Sequence, residues 1–202
     1  KTLGVWFYGN EYPFLSWMSR LGLATDGSAG GVTGLKQGWG VEPLTEGQAA
    51  CVSTMSYNEY WVVRDAGYSP EQLTVFKYQT EGASTLEDGL YVLEKNLGDS
   101  SFKDKMVRFV RASMKGWKYA EANPKEAASI ILDNDDAGVQ TEKHQVRMMG
   151  EIAKLTAGSN GALDPADYQR TVKVLMSGAS DPVITKEPSG AWTHDITNAA
   201  LN

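Results

Sequence analysis

The first eighty residues alternate short strand-like and helix-like patterns, and this alternation constrains the fold more than any other feature of the sequence. Apolar, β-branched and aromatic runs typical of strands occur at 3–7, 32–35, 50–55 and 73–78, and helical spacing occurs at 12–21, 41–50 and 57–66. Such alternation is typical of right-handed β-α-β units that form a mostly parallel sheet. The sequence therefore predicts an α/β fold, with a four-stranded, mostly parallel sheet flanked by helices within residues 1–80.

The chain changes to helical patterns after about residue 100. One apolar stripe at helical spacing consists of Phe102, Met106, Phe109, Val110, Met114 and Trp117. Further helices are predicted from Pro124 to about Leu132, from 141 to 155, and from 164 through 175. Residues 90–93 are one more strand candidate, and the tail from Gly178 has no clear pattern.

Composition excludes several classes of protein. The net charge of −6 argues against nucleic acid as a partner, because phosphate binding needs a clustered basic surface. Cys51 is the only cysteine, so neither an internal disulfide nor a thiolate metal cluster is expected. The two histidines, His144 and His194, lie far apart in polar stretches, so no metal or other cofactor is expected. No apolar run approaches the roughly 20 residues that cross a bilayer.

Polar and aromatic residues follow the predicted strands, where ligands bind in open parallel sheets. Aromatic rings, amides and carboxylates dominate this set, and no lysine or arginine is prominent in it. It therefore predicts a flat ligand with hydrogen-bond donors, whereas a sulfonate, phosphate or nitrate would require arginine or clustered backbone amides. The candidate ligand-binding residues are Asn10, Glu11 and Tyr12 after the first strand, Trp39 after the second, Tyr57, Asn58 and Glu59 after the third, and Tyr78 and Glu81 after the fourth.

These residues also have simpler structural interpretations. Asn10 is placed to cap the next helix, Glu11 lies in its first turn, and Tyr57 is a candidate core residue of the following helix. An enzyme is not expected, since no serine has a nearby histidine with an orienting acid. Glu11 and Glu59 remain a conceivable acid–base pair, because the sequence does not determine the distance between them.

Several segments resemble the periplasmic binding proteins of the thiamine-pyrimidine-precursor type, also called no-message-in-thiamine-like. These segments are Gly4-Val5-Trp6-Phe7-Tyr8-Gly9-Asn10-Glu11-Tyr12-Pro13, Thr54-Met55-Ser56-Tyr57-Asn58-Glu59-Tyr60-Trp61, Glu87-Asp88-Gly89-Leu90, Ala112-Ser113-Met114-Lys115-Gly116-Trp117 and Gly190-Ala191-Trp192-Thr193-His194. Together they extend over nearly the whole chain.

The resemblance implies a periplasmic binding protein type II-like fold, in which two α/β lobes close on a ligand. Residues 1–80 would be the second lobe, 81–98 a crossover segment, and 99–202 a mainly helical part that completes the first lobe. The chain would then begin at the strand that opens the second lobe, without the N-terminal part of the first. The surface left uncovered, which includes Phe102, Met106, Phe109 and Trp117, would meet a second chain in a dimer or domain swap.

The resemblance also implies a function. The expected role is extracytoplasmic capture of a pyrimidine-like heterocycle, a thiamine precursor or related molecule, for delivery to an ABC permease in the membrane. Carriers of alkanesulfonates, nitrate or aromatic acids are an alternative that a basic residue in the cleft would favour. A second alternative is an enzyme of thiamine pyrimidine synthesis, but such enzymes rely on a cysteine-rich motif and this chain has Cys51 alone.

Overall fold

The computed structural model describes residues 1–177 and 182–201. It begins with two strands separated by a helix, and only helices follow them. The predicted α/β class is confirmed, and every helix expected before residue 178 is present within a few residues of its predicted bounds. The elements are β1 Thr2–Val5, α1 Glu11–Arg20, β2 Thr33–Lys36, α2 Glu42–Thr45, α3 Glu59–Asp65, α4 Ser100–Ala122, α5 Pro124–Asp133, α6 Glu142–Thr156, α7 Pro165–Ser177 and α8 Asp195–Leu201, with 3-10 turns at Pro70–Gln72 and Glu94–Gly98.

Strand β1 lies between β2 and the segment 50–53. It pairs in parallel with β2, so that Val5 lies opposite Lys36. On its other side Leu3 forms a single parallel bridge with Cys51, and the Gly4 N–H donates to the Cys51 carbonyl at 2.8 Å. The segment 50–53 therefore lies beside β1, but it forms one bridge instead of the full strand predicted at 50–55.

The prediction of a fourth strand at 73–78 is wrong. Among the described residues, this segment forms no ladder with another strand. Its aromatic residues pack on helix α1 instead, with the Trp17 ring 5.3 Å from Phe76 and 6.2 Å from Tyr78. Strand propensity reports how well side chains suit a half-buried sheet surface, and it does not supply a hydrogen-bonding partner. The prediction of a strand at 90–93 is also wrong. Its four residues are exposed and form no strand.

By contacts the chain divides into two compact units. The first comprises Lys1–Glu87 and Asp164–Ser189, and the second comprises Asp88–Leu163 and Gly190–Asn202. The predicted assignment of 1–80, 81–98 and 99–202 to two lobes and a crossover stays a prediction. Residues 178–181 and 202 of the predicted C-terminal part lie outside the described residues.

The first unit is built on the sheet and helix α1. Val5, Phe14 and Met18 form its buried apolar cluster, because α1 presents apolar residues on the face that covers β1. Helix α7 completes this unit: the Thr171 hydroxyl accepts from the Leu86 N–H at 2.8 Å, and the hydroxyl oxygens of Ser16 and Ser177 lie 3.3 Å apart.

The second unit is helical. The long helix α4 begins at Asp99, whose carboxylate accepts from the Ser101 N–H, so the cap is one residue before the predicted Ser100–Ser101 region. Arg111 of α4 donates to the carbonyls of Ala199 and Ala200 in α8, a helix that the sequence analysis left unassigned. Phe109 and Trp117 are about half exposed on α4, and their predicted contact with a second chain stays a prediction.

Candidate functional site

The loops that follow β1, β2 and the segment 50–53 lie at one edge of the sheet, because all three run in parallel. We call residues 6–12, 36–40 and 54–59 the carboxyl edge. They include seven of the nine candidate residues, as the sequence predicted: Asn10, Glu11, Tyr12, Trp39, Tyr57, Asn58 and Glu59. Whether these side chains contact a ligand stays a prediction.

Gln37 joins two of these loops through its side-chain amide. Its Nε2 donates to the carbonyls of Ser53 at 2.9 Å and Gly40 at 3.1 Å, and its Oε1 accepts from the Ser53 N–H at 2.8 Å. The side chain is 6% exposed, so these bonds are made away from water. Gln37 therefore fixes the start of the 54–59 loop relative to the end of β2.

Gly4 leaves room for the Gln37 side chain to reach Ser53. A Cβ on Gly4 would lie 3.1 Å from Gln37 Oε1 and 3.0 Å from Val52 Cγ1, which is tighter than ordinary van der Waals contact. A larger residue would require the Gln37 amide or the Val52 side chain to shift by a few tenths of an ångström.

Tyr8 occupies an unusual backbone conformation at this edge. Its φ of 67° lies in the left-handed region that non-glycine residues rarely adopt, and its side chain is 89% exposed. The Glu11 carboxylate holds the turn by accepting from the Gly9 N–H at 2.7 Å. Strained residues of this kind cluster at binding sites, where the surrounding structure holds them in place.

Lys36 is the residue of this edge that the sequence analysis missed. The Lys36 Nζ donates to the Tyr8 hydroxyl at 3.1 Å and lies 4.6 Å from the centre of the Tyr8 ring. The sequence predicted that the second strand ends at Leu35 and took its following residues from Gln37, so the intervening lysine was passed over. The expectation that no lysine is prominent here is therefore wrong, and the signal was the position of Lys36 directly before Gln37.

Trp39 projects from the loop after β2 and is 95% exposed. This loop is tied to the loop after β1 through Trp6, whose indole Nε1 donates to the Gly38 carbonyl at 2.9 Å. Trp39 is thus an exposed aromatic side chain on an anchored loop. Tyr8 and Trp39 follow neighbouring strands, so two aromatic surfaces are open to solvent at the same edge.

The two carboxylates predicted to face a ligand both bond to protein donors. Glu59 accepts from the Met55 N–H at 2.9 Å and from the Asn58 amide at 2.7 Å, and so closes the turn before α3. Asn10 stands at the N-cap position of α1, but its side chain makes no capping bond, so that part of the simpler interpretation is wrong. Glu11 does lie in the first turn of α1.

Tyr78 contacts the residue that precedes the 54–59 loop, and Glu81 lies at the far end of helix α1; whether either side chain contacts a ligand stays a prediction. Tyr78 packs against Trp17 and hydrogen-bonds to the Ser53 side chain; its burial, and then the nearby Cys51, raise its pKa to about 12. The Glu81 carbonyl accepts from Arg20, the last residue of α1, while Asn10 and Glu11 are at the other end of that helix. In place of a fourth strand among the described residues, the chain at 73–81 packs along α1, with Phe76 and Tyr78 on Trp17 and Glu81 at Arg20.

A cavity of about 460 Å³ lies at the opposite edge. Asp26 of its wall bridges to Thr33, the first residue of β2, so the cavity opens where that strand begins. It is lined by Leu15, Ser19, Gly22, Leu23, Ala24, Thr25 and Asp26. It therefore adds nothing to the set at the carboxyl edge.

The described ranges contain neither a cluster of metal-ligating side chains nor a membrane-spanning helix. No group of three or more histidine, cysteine, aspartate or glutamate side chains there is arranged to hold a metal ion. None of the helices described is both long and apolar enough to cross a membrane.

Comparisons with known proteins identify the family of the chain. No curated protein matches the chain. The family model described as NMT1/THI5 like matches residues 1–127, which include the whole carboxyl edge. This family has a periplasmic binding protein type II-like fold and suggests a substrate-binding role. Because the match covers more than half of the sequence, the chain belongs to the NMT1/THI5-like family.

Proposed function

We propose that the protein binds a small planar molecule at the carboxyl edge and releases it unchanged. The observation that carries this proposal is the exposure of Tyr8 and Trp39, at 89% and 95%, on the loops that follow neighbouring strands. Aromatic side chains that are this exposed are typical of binding sites. A flat ligand stacks on them and replaces the water on their faces.

The leading candidate within this class is a pyrimidine-like heterocycle, such as a thiamine precursor. Rings of this type offer flat faces for Trp39 and Tyr8, and exocyclic groups for the polar side chains of Asn58 and Glu59. Each Glu59 oxygen accepts one protein hydrogen bond and has a second lone pair for a ligand donor.

Binding without chemical change is part of the proposal. A covalent mechanism needs a nucleophile beside a base, and the carboxylates of Glu11 and Glu59 are instead bonded to Gly9 and to Met55 and Asn58. Cys51 is half-buried and burial raises its pKa, which suppresses the thiolate that reacts. Both observations support a carrier over an enzyme of thiamine pyrimidine synthesis.

Lys36 favours a second candidate, a carrier of aromatic acids or of small anions such as alkanesulfonates and nitrate. Its ammonium at the carboxyl edge provides the positive charge that these ligands require, and the sequence analysis named such a residue as the mark of this class. In either case the partner is an ABC permease in the membrane, and the protein acts outside the cytoplasm.

Titration calorimetry with 4-aminopyrimidine, benzoate and methanesulfonate tests the proposal. We expect the two planar probes to bind and methanesulfonate, which has no ring, to bind more weakly. Trp39→Ala should weaken the planar probes roughly 3- to 10-fold, the loss of an aromatic stacking contact of about 0.5–1.5 kcal/mol.

Tyr91→Ala is the matched control, since Tyr91 is an aromatic residue with 85% exposure outside the carboxyl edge. It should leave both affinities unchanged. Failure of every planar probe to bind, or equal losses in the Trp39 and Tyr91 variants, would contradict the proposal.

A further inference from the structure

Resting on the proposed function, we propose that the ligand is a planar ring that bears an acidic group, and that Lys36 is the residue that selects it. The class is an aromatic or heteroaromatic acid, with its ring at Tyr8 and Trp39 and its acid group on the Lys36 ammonium. The proposed function leaves the charge of the planar ligand open, and an acid group makes that charge negative.

The distribution of charge at the carboxyl edge supports this assignment. In residues 6–12, 36–40 and 54–59, Lys36 is the one cationic side chain and Glu11 and Glu59 are the two anionic ones. Both carboxylates accept hydrogen bonds from neighbouring protein donors, Glu11 from Gly9 and Glu59 from Met55 and Asn58. These bonds fix the position of both carboxylates in the turns after β1 and before α3.

Lys36 provides the positive charge at this edge, and among the described residues no oppositely charged side chain is bonded to it. Its hydrogen-bond partner is the neutral Tyr8 hydroxyl, and no carboxylate in the described part of the chain pairs with it. An ammonium has three N–H donors, so two remain for a ligand. Lys36 thus provides an unpaired positive charge with free donors for an acidic group, beside the aromatic surfaces of this edge.

The aromatic residues place this charge beside a flat surface. The Lys36 Nζ lies 4.6 Å from the Tyr8 ring centre and 5.8 Å from the Phe7 ring centre. An acid group bound to Nζ therefore brings its attached ring within reach of Tyr8. The left-handed backbone of Tyr8 is consistent with this role, because it holds an exposed aromatic side chain next to the cation.

Charge and stacking must act together for useful affinity. Lys36 is exposed, and an ion pair in open water contributes little by itself because solvent screens it. A ring stacked on Tyr8 excludes part of that water and supplies the apolar contact area. A non-aromatic anion gains only the first contribution, so aromatic acids should be preferred over alkanesulfonates and nitrate.

Paired acid and amide probes test the inference on the chain as it exists. Nicotinate and nicotinamide, and likewise benzoate and benzamide, have nearly the same shape and differ in charge. Calorimetry at low ionic strength should show each acid binding about two- to fivefold more tightly than its amide, the contribution of an exposed ion pair. Added salt should weaken the acids and leave the amides unchanged, since it screens the charge alone.

Three variants test whether Lys36 itself causes the preference for acids. Lys36→Met should abolish the acid preference and leave amide affinity within about twofold, and Lys36→Arg should retain the preference. Lys173→Met changes the net charge equally on the exposed side of α7 and should also retain it.

The outcomes separate this inference from the proposed function. If none of the four probes binds, both are overturned. If acids and amides bind equally well to the unmodified chain, planar binding stands and the acid assignment is overturned. An equal loss of preference in Lys36→Met and Lys173→Met would also overturn it, because overall charge would then explain the selectivity.

Discussion

A single amide side chain carries much of the geometry of the carboxyl edge. Gln37 makes three hydrogen bonds with the main chain, two of them to Ser53, and does so while almost completely buried. Buried hydrogen bonds of this kind matter because the groups they satisfy cannot turn to water when the partner is removed. The position of the 54–59 loop therefore depends on a buried side chain of the loop after β2.

Replacement of Gln37 by leucine should be strongly destabilising. The side chain keeps a similar size, but the Ser53 and Gly40 carbonyls lose their donor and the Ser53 N–H keeps only its 3.1 Å bond to the Gly4 carbonyl. We expect this to lower the free energy of unfolding by about 2–4 kcal/mol. Urea denaturation followed by tryptophan fluorescence measures this change. Gln48→Leu is the control, because Gln48 is exposed, and its effect should stay within about 0.5 kcal/mol. Similar values for the two variants would show that the Gln37 bonds are not important.

The candidate site was predictable from the sequence where it depends on loop position. Asn10, Trp39 and Glu59 follow strands or strand-like segments, and a rule about sheet edges is enough to find them. The participation of Lys36 was not predictable in this way, since it depends on β2 continuing one residue further than its apolar pattern. The bonds between Gln37 and Ser53 depend on how the segment 50–53 packs beside β1, which local sequence does not reveal.

At the scale of elements, helix α4 illustrates how local signals determine structure. It extends over 23 residues and its first turn contains no acidic residue, so Asp99 alone supplies a carboxylate at its start. That carboxylate accepts from the Ser101 N–H at 2.8 Å and also interacts favourably with the positive end of the helix dipole.

Asp99→Ala should therefore destabilise the second unit. We expect a loss of about 1 kcal/mol, because a main-chain N–H at the start of α4 loses its partner. Asp99→Asn keeps the capping oxygen and removes only the charge, so it should lose no more than a few tenths of a kcal/mol beyond the unmodified chain. Thermal unfolding followed by circular dichroism distinguishes the two. An alanine variant as stable as the asparagine variant would contradict the capping role.

Helices were predicted well and strands less well for one physical reason. A helix satisfies its main-chain hydrogen bonds within itself, and its caps, such as Asp99 or Thr141, are adjacent in sequence. A strand needs a partner that may be distant in the chain. The segment 73–78 has the composition of a strand, yet Phe76 and Tyr78 pack on Trp17 and no strand in the described part of the chain pairs with it.

At the scale of the whole molecule, neither compact unit is a continuous stretch of chain. Helix α7 belongs to the first unit although the residues on both sides of its segment belong to the second. Each unit has its own buried apolar residues, among them Val172 in the first and Val110 in the second, which are 4% and 7% exposed. Regions with separate sets of contacts commonly open as separate cooperative units.

We therefore expect Val172→Ala and Val110→Ala to affect different parts of the molecule. Each removes two buried carbon atoms and should cost about 2 kcal/mol, which corresponds to roughly 30-fold faster exchange of the amides that open with that unit. Hydrogen exchange read by mass spectrometry should show faster exchange in α1 and α7 for Val172→Ala, and in α4 and α8 for Val110→Ala. Each variant serves as the control for the other, since the side chain and the substitution are the same. Faster exchange in all four helices for either variant would show that the two units open as one, because the loss of contacts in one would then destabilise the other.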